Sequence, residues 1–375
     1  MIEGPRQVAS PNLAGVVRHF RIHGEFSRAE RLPSGHIHDS YAAWFCSPGS
    51  DPRRALLQRI NHHVFRSPER LMENIEAVTA HLRAKIRAAG GDPDREALTL
   101  IHTADGGVLH RTPSGECWRA MVFIEGARTY ATPNSLAQVR SAGRAIGTFQ
   151  AMVSDFPVDR LHETIPDFHH TPKRFEAFAG VVERDRVNRC RSARAEIEFV
   201  EERAADTRLL LDLLEAGKLP RRVTHNDTKF DNVLIDEVTG EGICLIDLDT
   251  VMPGLAACDF GDAVRSAANT AAEDEPDLAH VCFDLEVYEQ LVAGYLEAAG
   301  GFLDLAEIEV LAFSARLMTL ECGLRFLTDY LDGDRYFRTL RPEHNLDRCR
   351  TQLKLLCDME ARRAEMERIV ERCRL

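Results

Sequence analysis

Two short apolar runs, Val233–Ile235 and Ile243–Ile246, flank the segment Val-Thr-Gly-Glu-Gly at 238–242, and acidic and amide side chains crowd their outer ends. The segment between the runs is a turn signal of the kind that joins two strands, so the runs predict an antiparallel hairpin. His225-Asn226-Asp227 comes just before the first run, and Asp247-Leu248-Asp249 just after the second. In such a hairpin the start of one strand lies beside the end of the next. Asp227, Asn232, Asp247 and Asp249 therefore converge at one open end, and the rest of the chain has to be built around a cluster of oxygen donors.

Phosphoryl transfer needs a positioned acceptor hydroxyl, a carboxylate to orient or deprotonate it, and cations over the transferring group. His225-x-Asp227-x-x-x-x-Asn232 has the spacing of a kinase catalytic loop, Asp followed by Asn five residues on. Asp227 is the candidate base. Asn232 offers a neutral oxygen and Asp247 a charged one to Mg²⁺, which prefers hard oxygen ligands. Lys229, two residues after the base, is placed to reach a γ-phosphate. Asp and Asn are also ordinary turn and cap residues. The lone H-x-D-x-x-x-x-N supports either reading, but the hydrophobic-Asp-x-Asp that follows at hairpin distance favours the site.

The remaining chain divides in two. Residues up to about 125 read as strand segments, Tyr41–Cys46, Ala55–Ile60, Leu98–His102, Val108–Arg111 and Glu116–Ile124, with a lead-in helix near Leu13–Phe20. One long helix interrupts them, starting at Ser67-Pro68-Glu69 and stopping near Gly90-Gly91. After Glu125-Gly126 the pattern is helical at 134–153, over much of 174–217 and over nearly all of 278–372. The predicted class is α+β, with a β-rich lobe over residues 1–124 and a mainly helical lobe over 125–375. A chain of 375 residues suits two such cores.

The formal net charge of -12 argues against broad binding to nucleic acid or anionic membrane. The ten cysteines show no C-x-x-C pair and no regular spacing, so neither zinc nor a disulfide framework is expected. No apolar run approaches the ~18 residues of a membrane span, and the first residues lack a basic stretch followed by an apolar one. The expectation is a soluble, cytoplasmic protein of open oligomeric state.

THNDTKFDNVLID and LIDLDTVMPGLAACDFGDAVR closely resemble the N-acetylhexosamine 1-kinases, within the aminoglycoside phosphotransferase and choline kinase branch of the protein-kinase-like fold. LLQRINHHVFRSPERLMENI and RFLTDYLDGDRYF resemble the same group, and the likeness spans roughly residues 30–355. It implies a bilobal kinase fold binding ATP and Mg²⁺, with a sugar held by the helical lobe. It also implies a nucleotide loop over 33–41, including Gly35, His36 and Ser40, although the family favours Asn where this chain has His38. Arg59 falls where such folds place the basic residue for the α- and β-phosphates, with Glu73 as its expected partner. Met121 and Phe123 fall in the hinge that faces adenine. Asp227, Asp249 and Thr250 then lie by the acceptor hydroxyl, Arg325 and Tyr336 by the sugar, while Asp259 supports the metal loop. Nearby Asp329, Tyr330, Asp332 and Asp334 are further candidates for sugar hydroxyls, or a solvated helix end.

The implied reaction is attack by the anomeric hydroxyl of an N-acetylhexosamine (GlcNAc, GalNAc or a related sugar) on the γ-phosphate of ATP. Two alternatives stand beside it. An aminoglycoside, choline-like or amino-alcohol acceptor would suit the acidic helical lobe, though the aromatic cage of a choline site has few Tyr and Trp to draw on. A non-catalytic kinase-like binding protein would be expected to lack one of Asp227, Asn232 and Asp247, and all three are present.

Overall fold

The computed structural model describes residues 12–32 and 37–374. They form two compact units. The first comprises residues up to Glu76 together with Leu98–Glu125, and the second comprises Ala77–Ala97 and everything from Gly126 onward. Residues 77–97, which the sequence reading groups with the β-rich lobe, thus pack with the helical unit.

In the first unit a short helix α1 (Leu13–Val17) precedes strands β1 (Glu25–Arg31), β2 (Asp39–Cys46) and β3 (Arg53–Ile60). After helix α2 (Pro68–Ala88), which crosses into the second unit, and α3 (Pro93–Glu96) come β4 (Leu100–Ile101), β5 (His110–Arg111) and β6 (Cys117–Val122). The strands make one antiparallel sheet in the order β1-β2-β3-β6-β4, with β5 also paired to β6. Val16, Val17, Phe20, Tyr41, Phe45, Leu57 and Trp118 share one core on this sheet. Each such large apolar side chain contributes about 1.5–3 kcal/mol on burial.

The second unit opens with β7 (Ala127–Arg128), followed by α4 (Leu136–Val153), α5 (Thr171–Arg184), α6 (Arg194–Glu201) and α7 (Leu209–Glu215). Strands β8 (Arg222–Thr224), β9 (Val233–Asp236), β10 (Gly242–Leu245) and β11 (Met252–Gly254) come next. The helices α8 (Ala256–Ala267), α9 (Leu285–Ala299), α10 (Leu305–Glu309), α11 (Leu311–Asp332), α12 (His344–Ala361) and α13 (Arg363–Cys373) complete it. The predicted hairpin is there: β9 and β10 pair antiparallel, and β7 adds to the β9 edge. A second small pair, β8 with β11, brackets the loops on either side of the hairpin.

The helices hold these loops from behind. The central helix α11 packs its Leu320, Leu324 and Leu327 with Phe178 of α5 and Leu346, Leu353 and Leu356 of α12. Helices α4 and α9 approach so closely that a Cβ on Gly294 would sit 1.9 Å from the Arg140 carbonyl oxygen. That approach lets the Tyr295 hydroxyl on α9 donate to Gln150 on α4. Among the described residues no helix is long and apolar enough to cross a membrane.

Candidate active site

Asp259 organises the loop between β8 and β9. Its carboxylate accepts hydrogen bonds from the backbone amides of His225 (2.9 Å) and Asn226 (2.7 Å) and from Gln150 Nε2 (2.8 Å). The residue expected to support the metal loop therefore supports the loop of the candidate base. Helix α8 carries it there because Asp259 lies in the helix's first turn, wholly buried. His225 closes the loop from the other side. Its Nδ1 accepts from the Asp227 amide (3.3 Å), so its Nε2 carries the proton donated to the Ile246 carbonyl (2.9 Å), at the end of the hairpin.

Asn226 is in the left-handed region, φ 65°, which turns the chain sharply just before Asp227. Its side chain donates to the Thr250 carbonyl (2.8 Å), and the Thr250 hydroxyl donates back to the His225 carbonyl (2.7 Å). This reciprocal pair accounts for Thr250: its hydroxyl proton is committed to the loop and not to an acceptor. The Asn226 carbonyl in turn accepts from His169 Nε2 (3.0 Å), whose Nδ1 donates to Glu321 on α11 (2.7 Å). With a donor at each nitrogen the His169 ring is an imidazolium. Burial opposes that charge, but Glu321 outweighs it and holds the ring above its ordinary pKa. The sequence carries no signal for this pair, since 152 residues separate its members.

Four residues predicted at the open end of the hairpin do meet there. Asn232 Nδ2 donates to the Asp227 carbonyl (2.8 Å) and to Asp227 Oδ2 (3.0 Å), and Lys229 Nζ lies 3.6 Å from the same Oδ2. The Asp227 side chain keeps 29% of its surface exposed, so Oδ1 can face an acceptor. Burial works against ionisation of Asp227, yet the charge of Lys229 and the Asn232 hydrogen bond hold it below the ordinary carboxylate range. Lys229 is held well above the usual ammonium range by Asp227 and its neighbouring carboxylates.

Asp247 is the opposite case. It sits in the left-handed region at φ 61°, and burial, followed by the adjacent Asp249 and then Asp227, pushes its carboxyl well upward. Asp249 is 2% exposed, and its carboxyl lies against that of Asp247. Three carboxylates with one nearby ammonium leave negative charge that a dication would relieve. The Ile246 amide donates to the Asn232 carbonyl (2.9 Å), bringing Asn232 beside the residue that precedes Asp247. Both side-chain bonds of Asn232 use its nitrogen, which leaves Oδ1 as a ligand. Among the described residues no three His, Cys, Asp or Glu side chains form a metal cage. Mg²⁺ does not require one, because substrate phosphates and water complete its shell. Asn232 and Asp247 fit it.

Away from the hairpin, the Arg325 guanidinium lies 5.5 Å from the Phe168 ring centroid, 6.0 Å from Tyr336 and 5.5 Å from Phe337. Asp329 fixes that aromatic turn: its carboxylate accepts from the amides of Arg335 (2.8 Å), Tyr336 (2.8 Å) and Phe337 (3.0 Å), and from Asn345 Nδ2 (2.9 Å). Asp329 is thus a positioning group for Tyr336 and not a binder of hydroxyls. Asp334 is likewise taken up by Arg189 and Asn345.

In the first unit, Arg59 is taken up by Asp39, with Nε at 2.9 Å, and by Glu116 at 2.5 Å, in place of the expected Glu73. The reason is register: Asp39 and Arg59 are direct cross-strand partners. Ser40 is buried and accepts from Gln58 Nε2 at 3.0 Å, so its hydroxyl faces the sheet's own network. Met121 lies in the ladder between β3 and β4, and the Phe123 amide donates to the Arg54 carbonyl at 3.3 Å. Gly35 and His36 lie outside the described residues.

The family model described as the phosphotransferase enzyme family matches residues 28–313. The chain belongs to this family. An aminoglycoside phosphotransferase from Alicyclobacillus acidocaldarius superposes with a TM-score of 0.64 at 14% identity, covering 98% of this chain and 99% of its own. A microcompartment-associated aminopropanol kinase covers 95% of this chain and 98% of its own, with a TM-score of 0.59 and 16% identity. A spectinomycin phosphotransferase solved with ADP and spectinomycin covers 93% and 97%, at 0.52 and 14%. The shared fold is the kinase-like α+β fold.

Proposed function

We propose that this member of the phosphotransferase enzyme family moves the γ-phosphoryl group of ATP onto a sugar, at the anomeric hydroxyl of an N-acetylhexosamine or a closely related sugar. The observation that carries the reading is the environment of Asp227, a carboxylate kept ionised by Lys229 and held at Oδ2 by Asn232. Its Oδ1 is left to orient the acceptor hydroxyl and take its proton. The acceptor oxygen bonds to the γ-phosphorus, the bridging P–O bond to the β-phosphate breaks, and the electron pair leaves with ADP. An anomeric hydroxyl is more acidic than other sugar hydroxyls, so a carboxylate with a depressed pKa suffices, acting mainly by position.

Asn232 and Asp247 would hold Mg²⁺, which supplies positive charge to the phosphoryl oxygens when bound. Lys229 adds a fixed cation on the same side. Arg325, set among three aromatic rings on the helical unit, is the residue assigned to the sugar, with Tyr336 beside it. Arg59 with Ser40, Met121 and Phe123, and the 33–36 segment containing Gly35 and His36, remain the assignment for ATP. Glu73 on α2 stays in that proposed set, although the carboxylates that hold Arg59 are Asp39 and Glu116.

An ATP-consumption screen over free hexosamines, hexoses, amino alcohols, choline and aminoglycosides tests this, with ³¹P NMR on any product. Phosphate at C1 of a hexosamine supports the reading; phosphate on any other carbon sinks the anomeric assignment. The second reading, an amino-alcohol or aminoglycoside acceptor, is favoured by the likeness to an aminopropanol kinase and an aminoglycoside phosphotransferase and by the net charge of -12. The same screen separates the two.

A further inference from the structure

Arg174 on α5 and Arg325 on α11 are two partly buried guanidiniums without a counter-ion. Arg174 Nη2 donates to the Phe168 carbonyl (2.9 Å), while its Nε is buried with no partner. Arg325 contacts the rings of Phe168, Tyr336 and Phe337. Among the described residues no carboxylate lies within ion-pair distance of either, because those nearby are already committed. Glu321 receives His169 (2.7 Å) and the Thr171 hydroxyl (2.5 Å), and Asp167 receives Lys173 (2.7 Å). Burial, and then the like charge of Arg325, press the Arg174 guanidinium below its ordinary pKa, which agrees with the two cations being close and uncompensated.

Burying a charge without a partner is costly. Ring faces return only about 0.5–2 kcal/mol per cation. What a pair of guanidinium forks complements is an oxyanion, bound through paired N–H donors. The pair also lies next to the chemistry. Phe168, which both arginines touch, precedes His169, and His169 donates to the carbonyl of Asn226, the residue before Asp227.

We propose that the acceptor carries an oxyanion, a carboxylate or a phosphate, and that Arg174 and Arg325 bind it while Asp227 meets the hydroxyl. The substrate class is then an acidic sugar, such as a hexosamine whose C6 is a carboxylate or bears a phosphate. This rests on the reading of the same site as a sugar kinase. It runs against an ammonium-bearing acceptor, which two unpaired guanidiniums would repel.

The test is a comparison of kcat/KM on the full-length protein with ATP and Mg²⁺, over matched acceptors. N-acetylglucosamine is set against its C6 carboxylate and its 6-phosphate, with glucosamine as the cationic member. The expected result is a preference of about ten-fold or more for an acidic member over the neutral parent, with the carboxylate and phosphate arms telling the two sources apart. Arg174→Gln and Arg325→Gln should each bring that ratio towards one. Arg174→Lys, which keeps the charge, should retain part of it, and melting temperatures confirm that each variant is folded. A neutral parent preferred to both acidic members overturns the proposal, as does a ratio that neither glutamine variant changes. If no sugar turns over, the sugar reading has failed, and glycerate against ethanolamine decides what is left. Turnover of the hydroxy acid keeps the assignment of the arginine pair; turnover of the amino alcohol, or of neither, overturns it.

Discussion

Replacing Asp259 with Asn should loosen the catalytic loop without touching any reacting atom. Asp259 is isosteric with Asn, so packing is unchanged; what changes is the acceptor count. The carboxylate uses one oxygen for the His225 amide and Gln150 Nε2, and the other for the Asn226 amide. An Asn amide supplies one oxygen and turns an NH₂ towards the remaining donor. One buried N–H is then left facing another donor, at a cost of about 1–3 kcal/mol. Each 1.4 kcal/mol is a factor of about ten in an equilibrium constant. Local opening of the 224–228 segment, read by hydrogen–deuterium exchange with mass spectrometry, should become about 5- to 150-fold more frequent. Peptides from β2 and β3, which belong to the core of the first unit, should exchange as before. kcat should fall with the loss of loop order, because Asp227 follows directly on the two amides that Asp259 holds. A variant with wild-type protection over 224–228 but depressed kcat would refute the reasoning and point to a direct chemical role for Asp259.

Asp227→Asn should lower kcat by about 10²–10⁴, while ATP affinity measured by calorimetry stays near wild type; full activity would remove Asp227 as base. The His169–Glu321 pair makes stability depend on pH in two senses. The raised His169 contribution is present below the unfolded histidine value, about 6.5, and is lost as pH climbs through the folded one. Glu321, held below its ordinary value against burial by His169, contributes above the unfolded glutamate value, about 4.3, and is lost on acidification through the folded one. Melting temperature should therefore decline from neutral towards alkaline pH, and His169→Gln should be less stable at neutral pH with a flatter alkaline limb; identical profiles would exclude the pair as the cause. Asp247→Asn removes a carboxyl pressed upward by burial and by Asp249. It should raise the melting temperature in EDTA and abolish the stabilisation by Mg²⁺ with ATP, and unchanged Mg²⁺ dependence would move the metal elsewhere.

What could be read from the sequence was what repeats or clusters locally. The hairpin was legible because two apolar runs flank a turn, and the convergence of Asp227, Asn232 and Asp247 follows from strand pairing alone. β1 was not, because Glu25–Arg31 exposes charge on both faces and buries little, as an edge strand often does. The three-residue strands β8 and β11 are too short for any period to show. The Arg59 partner is not legible in the sequence, because choosing Asp39 and Glu116 over Glu73 requires the strand register. Asp259 was recognised as a support, but which loop it supports depends on where α8 docks. His169, Glu321 and Arg174 escaped altogether: each is an unremarkable residue in its own helix or turn, and only the packing of α5 against α11 gives them a shared site.

The two key carboxylates of the hairpin illustrate how one short stretch yields distinct roles. Asp227 and Asp247 stand at the same open end and face similar burial. Lys229 and the Asn232 amide lie against Asp227 and favour its charge, whereas Asp249 lies against Asp247 and opposes it. Titratable groups whose surroundings push their pKa values apart are the groups to which separate chemical tasks can be assigned. The one that is ionised by protein charges alone is suited to meet a hydroxyl. The other is a costly negative charge until a cation arrives, which suits a metal ligand. The same logic of compensation extends to the acceptor side. The net charge of -12 suggests a cationic partner, but binding depends on charges left unpaired at the site. Those that are unpaired around Arg174 and Arg325 are positive.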